Sequence, residues 1–147
     1  MSQHMKKEIL LVEDNPNDLE LTLRVLKQHN LANDIEVARD GAEALEFVFG
    51  TGKHEGRDPN NGPTVVLLDI KLPKVDGLEV LRQIKADPRT RSIPVVLLTS
   101  SREERDIMQG YALGTNSYIV KPVDFEQFVE SIKQLGVYWL VLNEPPA

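Results

Sequence analysis

The chain of 147 residues contains no cysteine, which excludes disulfides, thiol catalysis and thiolate metal sites. Aromatic residues make up only 5%, with a single Trp. No apolar run reaches the length of a membrane span. The opening residues, Met1-Ser2-Gln3-His4-Met5-Lys6-Lys7, lack the apolar stretch of a secretory signal. There is no basic excess either. The net charge is -6, which argues against a nucleic-acid surface and suits a bound cation or a basic partner face. His4, His29 and His54 show no ligand spacing and are assigned no role. A cytoplasmic protein with no membrane association is the expectation.

What remains is 41% hydrophobic and 27% charged, as in a globular domain. The most informative stretch is Thr64-Val65-Val66-Leu67-Leu68-Asp69. Its β-branched start and lack of polar alternation predict a strand covered on both faces. A carboxylate stands at the end of that strand, where open α/β sheets bind ligands. An aspartate here also suits a simple turn cap, so the other strand ends have to decide its role.

Residues 8–12 form a second buried-strand pattern, ended by Glu13-Asp14. A helix is expected after Asn15-Pro16, with Asn17 and Glu20 at capping-box spacing and Leu19, Leu23 and Leu26 as its stripe. A short strand over 35–38 and a helix from Asp40 to Gly50 follow. Residues 50–63 are rich in Gly, Asn and Pro and almost devoid of apolar side chains, so a mobile loop is expected. Asp76, with Glu79 at capping-box spacing, opens a helix that ends at Ala86-Asp87-Pro88. Residues 93–98 form the third buried strand, leading to Thr99-Ser100. Ser100 and Glu103 predict a further capped helix, weakened by Gly110 and Gly114 and therefore a candidate moving part. A fifth strand over 116–120 leads to Lys121-Pro122. The last helix carries Phe125, Phe128, Val129, Ile132 and Leu135 on one face.

Five strand–helix units in alternation imply a parallel sheet with helices on both faces. The expectation is an α/β, flavodoxin-like, doubly wound five-stranded sheet of order 2-1-3-4-5. One domain is expected over 8–142, between an N-terminal tail at 1–7 and a C-terminal tail at 143–147.

Parallel strands place their carboxyl ends on one edge. Glu13, Asp14, Asp69, Thr99 and Lys121 then converge there. Clustered carboxylates repel, and a hard divalent cation with oxygen ligands relieves this. Asp14 and Asp69 are the expected direct Mg2+ ligands, with Glu13 acting through water and the backbone carbonyl of Lys71 as a further candidate. Lys121 and the Thr99 hydroxyl suit an anionic group beside the metal. Phosphoryl transfer to a carboxylate is the chemistry that fits.

The pieces Ile9-Leu10-Leu11-Val12-Glu13-Asp14-Asn15, Val66-Leu67-Leu68-Asp69-Ile70-Lys71-Leu72-Pro73, Asp76-Gly77, Val96-Leu97-Leu98-Thr99-Ser100 and Tyr118-Ile119-Val120-Lys121-Pro122 together resemble a receiver domain. That is the phosphoacceptor module of two-component response regulators, and the likeness covers nearly the whole chain. The resemblance implies that Asp69 accepts a phosphoryl group from a sensor histidine kinase or a phosphotransfer protein. It implies Mg2+ at Glu13 and Asp14, Thr99 and Lys121 on the phosphoryl oxygens, Tyr118 as a switch aromatic, and a cis bond before Pro122.

Beyond Lys121-Pro122 only one helix and a tail are expected, so output would be by protein contact or through a phosphorelay. Residues 137–142, Val-Tyr-Trp-Leu-Val-Leu, are apolar on every side of a helix. They predict a homodimer with Tyr138 and Trp139 as anchors. This apolar end and the long loop resemble the single-domain regulators of phytochrome-type histidine kinases, which implies a bacteriophytochrome-like sensor.

Three other functions compete. A haloacid-dehalogenase-type hydrolase needs an acid two residues after its nucleophile, where this chain has Lys71. A flavodoxin-type cofactor protein needs a phosphate-cradling Gly or Ser/Thr run after the first strand, which is absent. A phosphate-independent interaction module would not need the full set of Asp14, Asp69, Thr99 and Lys121.

Overall fold

The computed structural model describes residues 8–28, 34–100 and 104–135. Five parallel strands form one sheet: β1 (Glu8–Val12), β2 (Asp34–Ala38), β3 (Val65–Asp69), β4 (Val95–Thr99) and β5 (Ser117–Val120). Their spatial order is β2-β1-β3-β4-β5, the expected doubly wound arrangement. The three central strands are buried along their whole length, which is why they read as unbroken apolar runs. The edge strands β2 and β5 are partly exposed.

Five helices cover the sheet: α1 (Pro16–Gln28), α2 (Gly41–Phe49), α3 (Gly77–Ala86), α4 (Glu104–Leu113) and α5 (Phe125–Gln134). Leu19 and Leu26 of α1 and Phe128 and Ile132 of α5 pack on Ile9, Leu11, Val65 and Leu67. Phe47 and Val48 of α2 and Leu81 and Ile84 of α3 pack on Leu10, Val66, Leu68 and Leu97 of the opposite face. Strand side chains alternate between the two layers, as the pleat requires.

Several local expectations need correction. The cap of α1 is Asn15, not Asn17: Asn15 Oδ1 accepts from the backbone N–H of Asn17 at 2.9 Å and of Asp18 at 3.0 Å. Pro16 sits at the first helical position, where its missing N–H costs nothing. Glu20 pairs with Arg24 instead of closing a capping box. Asp76 does cap α3 through Leu78 N–H, but Glu79 bonds Arg82 and Gln83 rather than reaching back. β4 begins at Val95, after Pro94, because proline brings no N–H to a ladder. The Ser100–Glu103 cap and the Val137–Leu142 run, with Tyr138 and Trp139, lie outside the described residues.

Gly110 of α4 has a packing role. It is buried, and a Cβ there would run into the Leu97 side chain, so its small size lets α4 close onto β4. Gly114, at φ 108°, takes the left-handed turn after the helix.

Residues 50–63 carry two short 3-10 turns, Gly52–His54 and Pro59–Asn61, and make side-chain contacts with α2 and β1. The Arg57 guanidinium lies 3.6 Å from the centre of the Phe47 ring, donates to Glu8 Oε1 at 2.9 Å and to Phe47 O at 3.2 Å. The His54 ring meets the edge of Phe47 at 5.0 Å. The composition of the loop gave no sign of this, because the contacts are made by polar residues, Arg57, His54 and Lys53, whose partners lie on other elements.

Candidate functional site

Each site residue stands where a strand ends. Backbone bonds extend the ladders past the formal ends of the strands: Glu13 N–H donates to Ala38 O at 3.0 Å, and Lys121 N–H to Thr99 O at 2.7 Å. Ile70 N–H donates to Leu98 O at 3.1 Å. The sheet therefore fixes the bases of Glu13, Asp69, Thr99 and Lys121.

One oxygen from each of Glu13, Asp14 and Asp69 falls within 4.8 Å of the others. Glu13 is fully buried, Asp69 and Thr99 are buried, and Asp14 is exposed. The Lys121 ammonium reaches Asp69 Oδ2 at 3.1 Å, Glu13 Oε1 at 3.1 Å and Asp18 Oδ2 at 2.9 Å. The Lys121–Pro122 bond is cis.

Electrostatics follow from this crowding. Burial, then the adjacent Asp69 carboxyl, push the Glu13 pKa up to about 7, and Lys121 only partly offsets them. Burial works against the Lys121 ammonium, but hydrogen bonds and charge from Asp18, Asp69 and Glu13 outweigh it and hold the pKa above its ordinary value. The set thus carries more acid than one ammonium neutralises. Three carboxylate oxygens at this spacing are the hard donors that a Mg2+-sized cation takes.

The loop after Asp69 is braced from two sides. Gly77 N–H donates to Ile70 O at 2.8 Å, and a Cβ at Gly77 would strike the Asp69 carbonyl. Gly41 N–H at the start of α2 donates to Pro73 O at 3.2 Å, and Lys74, at φ 68°, pairs with Asp40 at 3.4 Å. Lys71 lies exposed at the head of this loop. Tyr118 faces outward from β5, 38% exposed, with its ring edge-on to Tyr111 at 6.3 Å.

Asp18 is the site residue that sequence reading missed. An acid in the first turn of a helix already has an explanation in the helix dipole, and nothing local marks it as a partner of Lys121.

Comparison with known proteins gives a consistent relationship. The response regulator receiver domain family matches residues 9–133. The chain is 43% identical over 138 residues to the probable methanogenesis regulatory protein FilR2 of Methanothrix harundinacea, covering 94% of this chain and 86% of that one. It is 37% identical over 141 residues to the response regulator Rcp1 of Synechocystis sp., covering 96% and 94%. The Mn2+-bound structure of Rcp1 superposes with a TM-score of 0.73, over 95% of this chain and 99% of that one. The structure of the bacteriophytochrome response regulator AtBRR superposes with a TM-score of 0.85 at 56% identity, over 97% of this chain and all (100%) of that one. The order of strands, the acidic edge and these relatives agree, and the chain belongs to the response regulator receiver domain family.

Proposed function

We propose that this receiver acts in phytochrome signalling, with Asp69 accepting a phosphoryl group from a bacteriophytochrome-type histidine kinase or a phosphotransfer protein. The observation that carries the reading is Lys121 Nζ at 3.1 Å from Asp69 Oδ2, beside the Glu13–Asp14–Asp69 oxygen cluster. Support for the phytochrome context comes from 56% identity to a bacteriophytochrome regulator, against 43% to the methanogenesis regulator.

Glu13, Asp14, Asp69 and the backbone carbonyl of Lys71 would hold Mg2+. When bound, the ion supplies charge neutralisation to the carboxylates and the transferring phosphoryl oxygens. Asp69 attacks phosphorus through a carboxylate oxygen. The new O–P bond forms as the N–P bond of the donor phosphohistidine breaks, and the imidazole nitrogen keeps the electron pair and takes a proton. Lys121 pairs with one phosphoryl oxygen and the Thr99 hydroxyl donates to another. Tyr118 moves inward as Thr99 shifts, so the chemistry is read at the β5 edge. The phosphorylated form signals by protein contact or passes its phosphate on in a relay. A homodimer through Tyr138 and Trp139 is part of this reading, supported by the apolar composition of residues 137–142. No helix among the described residues is long and apolar enough to cross a membrane, in keeping with a cytoplasmic role.

The test is intact mass after incubation with acetyl phosphate, with and without Mg2+, for wild type and Asp69→Asn. A single phosphate adduct that requires both Mg2+ and Asp69 is expected. No adduct from acetyl phosphate or from a phytochrome-type kinase that charges another regulator would favour a phosphate-independent interaction module.

A further inference from the structure

Among the described residues, Asp18 is bonded to the site through Lys121. It is not among the three acids whose oxygens cluster for a cation, yet its Oδ2 makes the shortest of the three Lys121 contacts, 2.9 Å against 3.1 and 3.1 Å. An ammonium has three N–H donors, and three carboxylates stand within hydrogen-bond distance of this one. A phosphoryl oxygen arriving at Asp69 therefore meets a cation whose donors are already engaged.

The three partners differ in what arrival changes. The Asp69 oxygen becomes part of the phosphoryl group itself. Glu13, fully buried, faces the cation cluster. Asp18 stands on the first turn of α1 with its side chain 33% exposed, and changes in neither respect. We infer that Asp18 is a positioning residue that competes with the phosphoryl group for the Lys121 ammonium, and so restrains occupation of the phosphorylated site. This rests on the receiver reading above. It adds a residue that sets how readily the site holds a phosphoryl group.

Hydrolysis of the acyl phosphate returns the restrained state. Water oxygen bonds phosphorus, the Asp69 O–P bond breaks, and inorganic phosphate leaves with the water proton released to solvent. Lys121 then regains its contact with Asp69 while keeping Asp18.

The probe is beryllium fluoride with Mg2+, a tetrahedral substitute for the phosphoryl group on a carboxylate, titrated by calorimetry. Asp18→Asn keeps the shape of the side chain and suits the first turn of a helix. It is expected to lower the beryllium fluoride Kd about three- to ten-fold, the scale of one charge-assisted hydrogen bond in partial contact with water. Glu20→Gln, on the same helix but paired with Arg24, measures the general effect of removing one negative charge and should change the Kd far less. Asp18→Glu should restore much of the restraint. In a Lys121→Met background, Asp18→Asn should do no more than Glu20→Gln, because the effect passes through Lys121. Asp18→Ser serves if the Asn variant fails to fold.

A Kd that is unchanged or raised in Asp18→Asn overturns the inference, as does an equal fall in Glu20→Gln. A wild type that takes neither beryllium fluoride nor a phosphate on Asp69 overturns the phosphoacceptor reading of Asp69 and this inference together. A wild type that takes both, with an insensitive Asp18→Asn, overturns this inference alone.

Discussion

Two ion clusters stand at opposite ends of β1. At its start, Glu8 meets Arg57 at 2.9 Å, and the guanidinium lies on the Phe47 ring. Just past its end, Glu13 meets Lys121 at 3.1 Å, with Asp69 and Asp18 on the same ammonium. Both acids are buried. The first cluster is balanced, one carboxylate to one guanidinium, with the cation's flat face on an aromatic ring. The second has surplus acid and holds a carboxyl with a pKa of about 7. One end of the strand carries a matched pair of charges, the other a surplus of acid, and the difference is charge count rather than burial.

Breaking the balanced end should be costly. Phe47→Ala removes a fully buried ring and the platform under Arg57. A loss of about 3–4 kcal/mol is expected in urea denaturation. Arg57→Leu leaves Glu8 buried without its cation and removes the Arg57 contacts to Phe47. We expect a loss of about 2 kcal/mol, reduced from the cost of a fully buried pair because the Arg57 side chain is 22% exposed.

At the surplus end the sign reverses. The folded-state pKa of Glu13 is raised from 4.5 to about 7, so the native state binds more protons than the unfolded state between those values. Stability without metal should therefore fall as pH rises from about 4.5 to 7, and level off above. Glu13→Gln should flatten that slope and stabilise the metal-free protein by on the order of 1–2 kcal/mol at pH 8, while weakening Mg2+ binding. Denaturation midpoints across pH for both proteins decide this. A variant less stable than wild type at pH 8 would mean the Glu13 charge is already compensated.

The smallest effect sharpens the comparison from the other side. Mg2+ at about ten times its Kd should stabilise the wild type by about 1.4 kcal/mol at pH 8. The gain should shrink toward pH 5, where Glu13 is protonated, and should largely vanish in Asp14→Asn. The same ion should leave the cost of Arg57→Leu unchanged, since no metal-sized acid cluster lies at that end among the described residues.

The sequence by itself determined the strand order and the core of the site. Short unbroken apolar runs alternating with helical patterns point to buried parallel strands, and parallel strands deliver Glu13, Asp14, Asp69, Thr99 and Lys121 to one edge. The ends of α2 and α3 were legible to within a residue or two. The choice among competing caps, such as Asn15 over Asn17, was not, because both satisfy the same local rules. Tertiary structure alone decided that Asp18 meets Lys121 across 103 positions and that Arg57 meets Glu8 across 49. No periodicity links residues that far apart. Their pairing depends on where whole helices and loops come to rest on the sheet, and a side chain's partner is fixed only then.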